Sequence, residues 1–212
     1  ESDEPFPRFV NIASNLGLDT FGLAGGAIVD DFTGDGYFDI VVSSLDLNEQ
    51  MRFFRNNQNG TFTDYTEEAN LMGLVGGLNM LHADYDNDGD LDILVLRGAW
   101  SAMVENGIIP NSLLSNNGAG RFTDVTFDSG LGEIHYPTQT AAWADYDNDG
   151  NLDLYIGNEA GAIKAPSQLF RNNGDGTFTD RAREAGVMNS SFTKGVTWGD
   201  YNDDGFSDLY VS

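Results

Sequence analysis

Cysteine is absent from the 212 residues, so no disulfide staples this chain. That does not exclude export, because bound metal can cross-link a fold in place of disulfides. Proline is scarce at 5, which argues against long extended linkers. Basic residues are scarce too: 10 Lys and Arg face 34 Asp and Glu, a formal charge of −24. A nucleic-acid backbone or an anionic membrane surface would be repelled by such a chain. No run approaches the ~18 apolar residues of a membrane-spanning helix. The opening Glu1-Ser-Asp-Glu4 has neither the basic nor the apolar region of a secretory leader, so a leader has been removed or the protein is cytoplasmic. The length suffices for one large domain or two small ones with a real core.

The acidic residues themselves are patterned. Four loops repeat an aspartate at alternate positions, a glycine at position 6 and a final aspartate at position 9. They read Asp31-Phe-Thr-Gly-Asp-Gly-Tyr-Phe-Asp39, Asp84-Tyr-Asp-Asn-Asp-Gly-Asp-Leu-Asp92, Asp145-Tyr-Asp-Asn-Asp-Gly-Asn-Leu-Asp153 and Asp200-Tyr-Asn-Asp-Asp-Gly-Phe-Ser-Asp208. At about 5 Å and an effective dielectric near 20, each like-charge pair costs roughly 3 kcal/mol. A cation among them removes that cost. Side-chain oxygens at positions 1, 3, 5 and 9 around a sharp glycine turn suit the hard oxygen cage of Ca²⁺, and up to four ions are expected. Mg²⁺ fits less well, since it demands octahedral geometry and retains waters. The alternative, aspartates merely favouring turns, explains one loop better than four in register.

A helical EF-hand is excluded: it requires a bidentate glutamate at position 12, and that position holds Val42, Val95, Ile156 and Val211. Strand-like residues follow each glycine, so the loop joins two strands. The first aspartates recur at intervals of 53, 61 and 55 residues. Between them a second signature repeats: Phe54-Arg-Asn-Asn-Gln-Asn-Gly-Thr-Phe-Thr-Asp64, Leu114-Ser-Asn-Asn-Gly-Ala-Gly-Arg-Phe-Thr-Asp124 and Phe170-Arg-Asn-Asn-Gly-Asp-Gly-Thr-Phe-Thr-Asp180. Its Asn-Asn and Gly residues tolerate positive φ and mark a hairpin. Each unit therefore holds four short strands, and repeated four-stranded units predict an all-β fold, a β-propeller. Blades are expected at about 27–65, 80–125 and 140–181, with an incomplete one at 196–212. Phe9–Leu18 matches the end of a unit, so the chain is expected to open on the last strand of a preceding blade. It stops partway through another, which predicts a piece of a longer array. Length varies mainly in Leu45–Gln50, Arg97–Asn111 and Gly157–Ser167, where binding is expected.

The combination of Ala83–Asp92 and Ala144–Asp153 with Leu169–Asp180 resembles the FG-GAP/VCBS repeat, nearest the cartilage-acidic-protein-like and ASPIC/UnbV group and more distantly integrin α-chain propellers. The resemblance covers essentially the whole chain. It implies a propeller, commonly seven-bladed, with Ca²⁺ between the first two strands of a blade. Carried over by position, the ligands are Asp84, Asp86, Asp88 and Asp92 in the second loop, and Asp145, Asp147, Asp149 and Asp153 in the third. Backbone carbonyls of Asp90 and Asn151 complete them, with Tyr37 and Phe206 at the same position elsewhere. The first loop offers Asp31, Asp35 and Asp39 with Thr33 at position 3; the fourth offers Asp200, Asp204 and Asp208 with Asn202. Fewer charges lower affinity, so loops two and three rank tightest and loop one weakest.

Catalytic chemistry is harder to find. His82 fills the slot held by Val29, Trp143 and Trp198 in other units and reads as a packing residue. His135 lies on a connection and is open to either a solvent or a ligand role. Most carboxylates are committed to the loops, and Trp100, Trp143 and Trp198 read as core. Lys164 and Arg97 read as surface residues of the variable loops. The sequence thus points to a non-enzymatic, calcium-stiffened extracellular or periplasmic module for binding or adhesion, engaging protein or carbohydrate through its variable loops. The alternatives are a polysaccharide-active enzyme on the same scaffold, or a subunit of a surface assembly completed by further blades or chains.

Overall fold

A computed structural model describes residues 8–20, 22, 24–97, 109–134, 136–159 and 164–212. These residues form three four-stranded antiparallel sheets and one two-stranded sheet, the strands in each following sequence order. Sheet one comprises β1 (Ala24–Asp30), β2 (Asp39–Ser44), β3 (Arg52–Asn56) and β4 (Phe62–Asp64). Sheet two comprises β5 (Asn79–Ala83), β6 (Asp92–Leu96), β7 (Ser112–Asn116) and β8 (Phe122–Asp124). Sheet three comprises β9 (Thr138–Ala144), β10 (Asp153–Asn158), β11 (Gln168–Asn172) and β12 (Phe178–Asp180). Sheet four holds β13 (Val196–Gly199) and β14 (Asp208–Val211).

The first strands of successive sheets adjoin: β1 lies against β5, β5 against β9, and β9 against β13. Backbones come close there. A Cβ on Gly26 of β1 would stand 2.8 Å from the Cα of Asn79, so only glycine permits the approach. The result is a β-propeller-like succession of sheets, in which no closed ring is formed by the described residues.

Burial along each second strand reports how many neighbours its sheet has. β6 and β10 are buried at every position, because sheets two and three are covered on both faces. That is why Ile93–Leu96 reads as a continuous apolar run rather than an alternation. β2 mixes buried and half-buried residues, and β14 has none fully buried. Three apolar clusters fill the three interfaces. Between sheets one and two, Phe32, Phe53 and Phe122 meet edge to face at 6.0–6.3 Å around Val41, Met51 and Ile93. Between two and three, Tyr85 stacks on Trp143 at 6.3 Å beside Phe178. Between three and four, Tyr146 stacks on Trp198 at 6.3 Å. His82 occupies the corresponding slot against Phe32, ring centroids 5.6 Å apart, and its Nε2 lies 3.0 Å from Asp30 Oδ2.

Some expectations need correction. The strand expected at Phe9 is not formed among the described residues: residues 8–12 hold none and Phe9 is fully exposed. In the other units the equivalent Phe62, Phe122 and Phe178 each pair with a third strand, and no described strand pairs with Phe9. The residues that follow form a single helical turn, α1 (Ala13–Leu16), closed by Gly17 at φ 81°. The same turn recurs at residues 66–70, 126–130 and 182–186, with Asn70, Gly130 and Gly186 left-handed. Arg97 is buried, not a surface residue; its Nε donates to Val75 O and its Nη1 to Pro110 O, both at 3.0 Å, and to Ser112 Oγ. Trp100, His135 and much of the variable segments around 98–108 and 160–163 lie outside the described residues.

Candidate metal centre

Each Asp-rich loop spans one strand-to-strand junction, and its geometry follows from its sequence. The ninth residue pairs across the ladder with the residue before the first: Asp30 with Asp39, Ala83 with Asp92, Ala144 with Asp153 and Gly199 with Asp208. Closing so short a path takes two left-handed residues. Position 6 is Gly36, Gly89, Gly150 or Gly205 at φ 86–94°. Position 4 is Gly34, Asn87, Asn148 or Asp203 at φ 57–67°. Asn, Asp and Gly are the residues that tolerate this region.

The carboxylates then divide into two jobs. Position 1 accepts backbone N–H groups from positions 5 and 6: Asp84 from Asp88 and Gly89 at 3.1 and 3.0 Å, Asp145 from Asp149 and Gly150 at 3.0 and 2.9 Å. Asp31 and Asp200 do the same in loops one and four. Position 5 accepts the N–H of position 7, in turn Tyr37, Asp90, Asn151 and Phe206, at 2.9–3.1 Å. These bonds fix the carboxylates of positions 1 and 5 on one side of the turn. In loop two, carboxylate oxygens of Asp84, Asp86 and Asp88 all lie within 4.8 Å of one another; in loop three those of Asp145, Asp147 and Asp149 do.

Position 9 has a different place. Asp39, Asp92 and Asp153 are buried, and neither Asp92 nor Asp153 is among the carboxylates that converge within 4.8 Å. Oδ1 of each accepts the N–H of Asn56, Asn116 or Asn172 on the third strand at 2.8 Å. Oδ2 of Asp92, Asp153 and Asp208 accepts the N–H of position 2, Tyr85, Tyr146 or Tyr201, at 3.1–3.2 Å. In loop one Thr33 Oγ1 makes that bond to Asp39 instead, at 3.1 Å. Asn202 accepts the N–H of Asp204. With Thr33 and Asn202 at position 3, loops one and four assemble no three-carboxylate group among the described residues.

Burial dominates the titration of Asp39, Asp92 and Asp153, raising all three. It pushes Asp92 up to about 7 and Asp153 up to about 6, against the opposing bonds from Asn116 and Asn172, with neighbouring loop carboxylates adding to the rise. Burial and then Asp88 raise Asp86. Asp149 is lowered by the N–H of Asn151, with Arg171 contributing. The Arg171 guanidinium lies across loop three, 2.7 Å from Asp147 Oδ2 and 2.6 Å from Asp149 Oδ2. Asp147 Oδ1 is buried and has no hydrogen-bond partner. A convergent set of hard oxygens with one orphaned among them fits a hard divalent cation.

Three groups of residues were missed in the sequence. The first asparagine of each Asn-Asn pair is no turn residue; positive φ falls one position beyond the pair, on Gln58, Gly118 and Gly174. Asn116 and Asn172 are buried, and their Nδ2 groups reach across the interface to the position-2 carbonyl of the preceding unit, Phe32 at 2.9 Å and Tyr85 at 2.7 Å. The position-4 asparagines reach the other way: Asn87 to Gly150 O and Asn151 Oδ1, Asn148 to Gly205 O. Arg55 and Arg171 are the third group. The signal was there in the exact repetition of Asn at these positions, but an asparagine in a turn has a sufficient local explanation.

The FG-GAP-like repeat model matches residues 31–95 and 158–211. Cartilage acidic protein 1 of Xenopus tropicalis is 27% identical over 224 residues, covering 95% of this chain and 30% of that protein. The Homo sapiens protein of the same name is 27% identical over 215 residues, with the same coverage. This chain thus spans under a third of the curated relatives it matches. Among solved structures, an exotype rhamnogalacturonan lyase superposes with a TM-score of 0.51 at 14% identity, over 89% of this chain and 38% of that one; the likeness is one of fold alone.

Proposed function

Because the chain belongs to the FG-GAP-like repeat family, we propose that it is part of a calcium-binding β-propeller, acting outside the cell as a binding or adhesion module. One observation carries this reading: two loops each converge three carboxylates within 4.8 Å on a frame of backbone N–H donors. Bound Ca²⁺ would supply positive charge that offsets their repulsion. Asp84, Asp86 and Asp88 would hold it in loop two, and Asp145, Asp147 and Asp149 in loop three. Loops one and four, with one carboxylate fewer at positions 1, 3 and 5, would bind more weakly.

In sheets one to three the Asp-rich loop and the Asn-Asn hairpin share one end, while the second strands finish and the third strands begin at the other, where the segments of variable length are joined. A rigid acidic edge with variable loops opposite suits a module that presents those loops to a protein or carbohydrate partner. Extracellular calcium, at millimolar levels, would keep such sites loaded. The name of the curated relatives agrees with that setting.

Calorimetric titration of the metal-stripped chain tests the metal assignment: saturable calcium binding, abolished at one site by Asp86→Asn with Asp88→Asn, is expected. No heat and no change in melting with calcium would refute it. A panel of glycans and matrix proteins, scored for both retention and turnover, tests the module. Turnover of a polysaccharide would replace the binding reading with an enzymatic one.

A further inference from the structure

Loops two and three converge the same three carboxylates, yet their charges differ twice: position 7 is Asp90 in one and the neutral Asn151 in the other, and the third strand beside them carries a cation only in unit three. Arg55, Ser115 and Arg171 occupy the same register on the third strand, opposite Thr63, Thr123 and Thr179 of the fourth. In unit three, Nε and Nη2 of Arg171 donate to Asp147 Oδ2 and Asp149 Oδ2. In unit one, Arg55 reaches only Asp35, at 3.4 Å, with Thr33 where Asp147 stands. In unit two Ser115 carries no charge and bonds the Tyr85 side chain instead, and among the described residues no lysine or arginine pairs with Asp84, Asp86, Asp88 or Asp90.

Resting on the calcium reading of these loops, we propose that Arg171 is a built-in counter-cation that makes loop three hold its shape without metal, whereas loop two, with Ser115, depends on its ion. The fork takes the Oδ2 atoms of both aspartates and leaves Asp147 Oδ1 inside the loop unpartnered, so guanidinium and ion need not exclude each other. Arg171 acts through the aspartates, as a positioning residue. Its charge relieves the carboxylate repulsion that an ion would otherwise relieve, and it opposes an incoming dication. Loop three therefore gains less from calcium than loop two, and binds it less tightly despite an equal set of convergent carboxylates.

The test is a pair of opposite substitutions in this chain, Arg171→Ser and Ser115→Arg, with Arg171→Lys as a charge-retaining control. Each is melted in chelator and in excess calcium and titrated by calorimetry. Arg171→Ser is expected to melt lower in chelator, to recover most of the loss in calcium, and to bind calcium several-fold more tightly at that site; Arg171→Lys should fall between. Ser115→Arg should narrow the gap between chelated and calcium-loaded melting. An equal loss in both conditions for Arg171→Ser, showing a purely structural role, overturns the assignment. So does a wild-type calcium gap that neither Arg171→Ser nor Arg171→Lys alters. A wild-type chain whose melting ignores calcium overturns the calcium reading and this assignment together.

Discussion

Substituting Asn172 by alanine should damage the fold far more than the same change at its neighbour Asn173. Asn172 is 1% exposed. Its Nδ2 donates to Tyr85 O in the preceding sheet at 2.7 Å and to Leu152 O at 3.1 Å, while its Oδ1 accepts the N–H of Gly174 at 3.0 Å. Alanine strands two carbonyls and a donor. With each buried unpaired group costing about 1–3 kcal/mol and some relieved by entering water, the loss should be about 3 kcal/mol. For a domain of this size that corresponds to a fall of roughly 6–12 °C in melting temperature. Asn173 is exposed and bonds only the hydroxyls of Thr177 and Thr179; its loss should stay within about 0.5 kcal/mol. Circular dichroism melts in saturating calcium read both. Asn172→Asp, which sets an acceptor against those carbonyls, should be at least as harmful as alanine. Equal effects at the two positions would refute the claim that the first asparagine clamps one sheet to the next.

Removing a loop carboxylate should uncouple stability from calcium. An ion present at about 100 times its Kd contributes about 2.7 kcal/mol, so Asp88→Ala or Asp149→Ala should lose most of its site's share even in excess calcium, and a melt unchanged by either substitution would count against the site. Arg97→Ala strands the carbonyls of Val75 and Pro110 and should cost about 2–4 kcal/mol in a urea titration; Arg97→Lys, lacking the fork, should recover only part. The pH dependence of the metal-stripped chain has a definite sign. Asp92 and Asp153 sit at about 7 and about 6 when folded, above an ordinary aspartate near 3.9. The folded state thus keeps protons that the unfolded state has lost, and stability should fall as pH rises from about 4 to about 7. Metal-stripped protein that melts higher at neutral pH than at pH 5 would contradict this.

The elements that repeat were legible because each has a local cause. The four loops, the all-β character and the four-strand units follow from alternation, turn chemistry and the interval between Asp31, Asp84, Asp145 and Asp200. What stayed hidden is what only three dimensions supply. The triads at Asp84–Asp88 and Asp145–Asp149 are read from spacing, but the separate position of Asp92 and Asp153, bonded to a strand 19 to 24 residues away, is not. Arg97 looked like a loop residue because nothing in a sequence says that two distant carbonyls will converge on it. Nothing in the sequence alone sets Arg171 apart from Ser115; the register that places both on the third strand does.

Position 2 of each loop joins these observations into one argument about why the loops should matter to the whole array. The Tyr85 side chain stacks on Trp143 of the next sheet, its N–H is held by Asp92, and its carbonyl is gripped by Asn172 of that same next sheet. Phe32 repeats the pattern with His82, and its carbonyl is held by Asn116. A loop that opens under its own charge would move that residue and loosen two hydrogen bonds and a ring contact, made to three different strands. Cations in the loops would then act on the interfaces between sheets as much as on the turns, and the cost of chelation should appear as lost cooperativity between units. Urea transitions of the chelated chain should be shallower than those in calcium, with sheet-specific probes at Trp143 and Trp198 separating. Coincident transitions of unchanged slope would show that the interfaces hold without the loops.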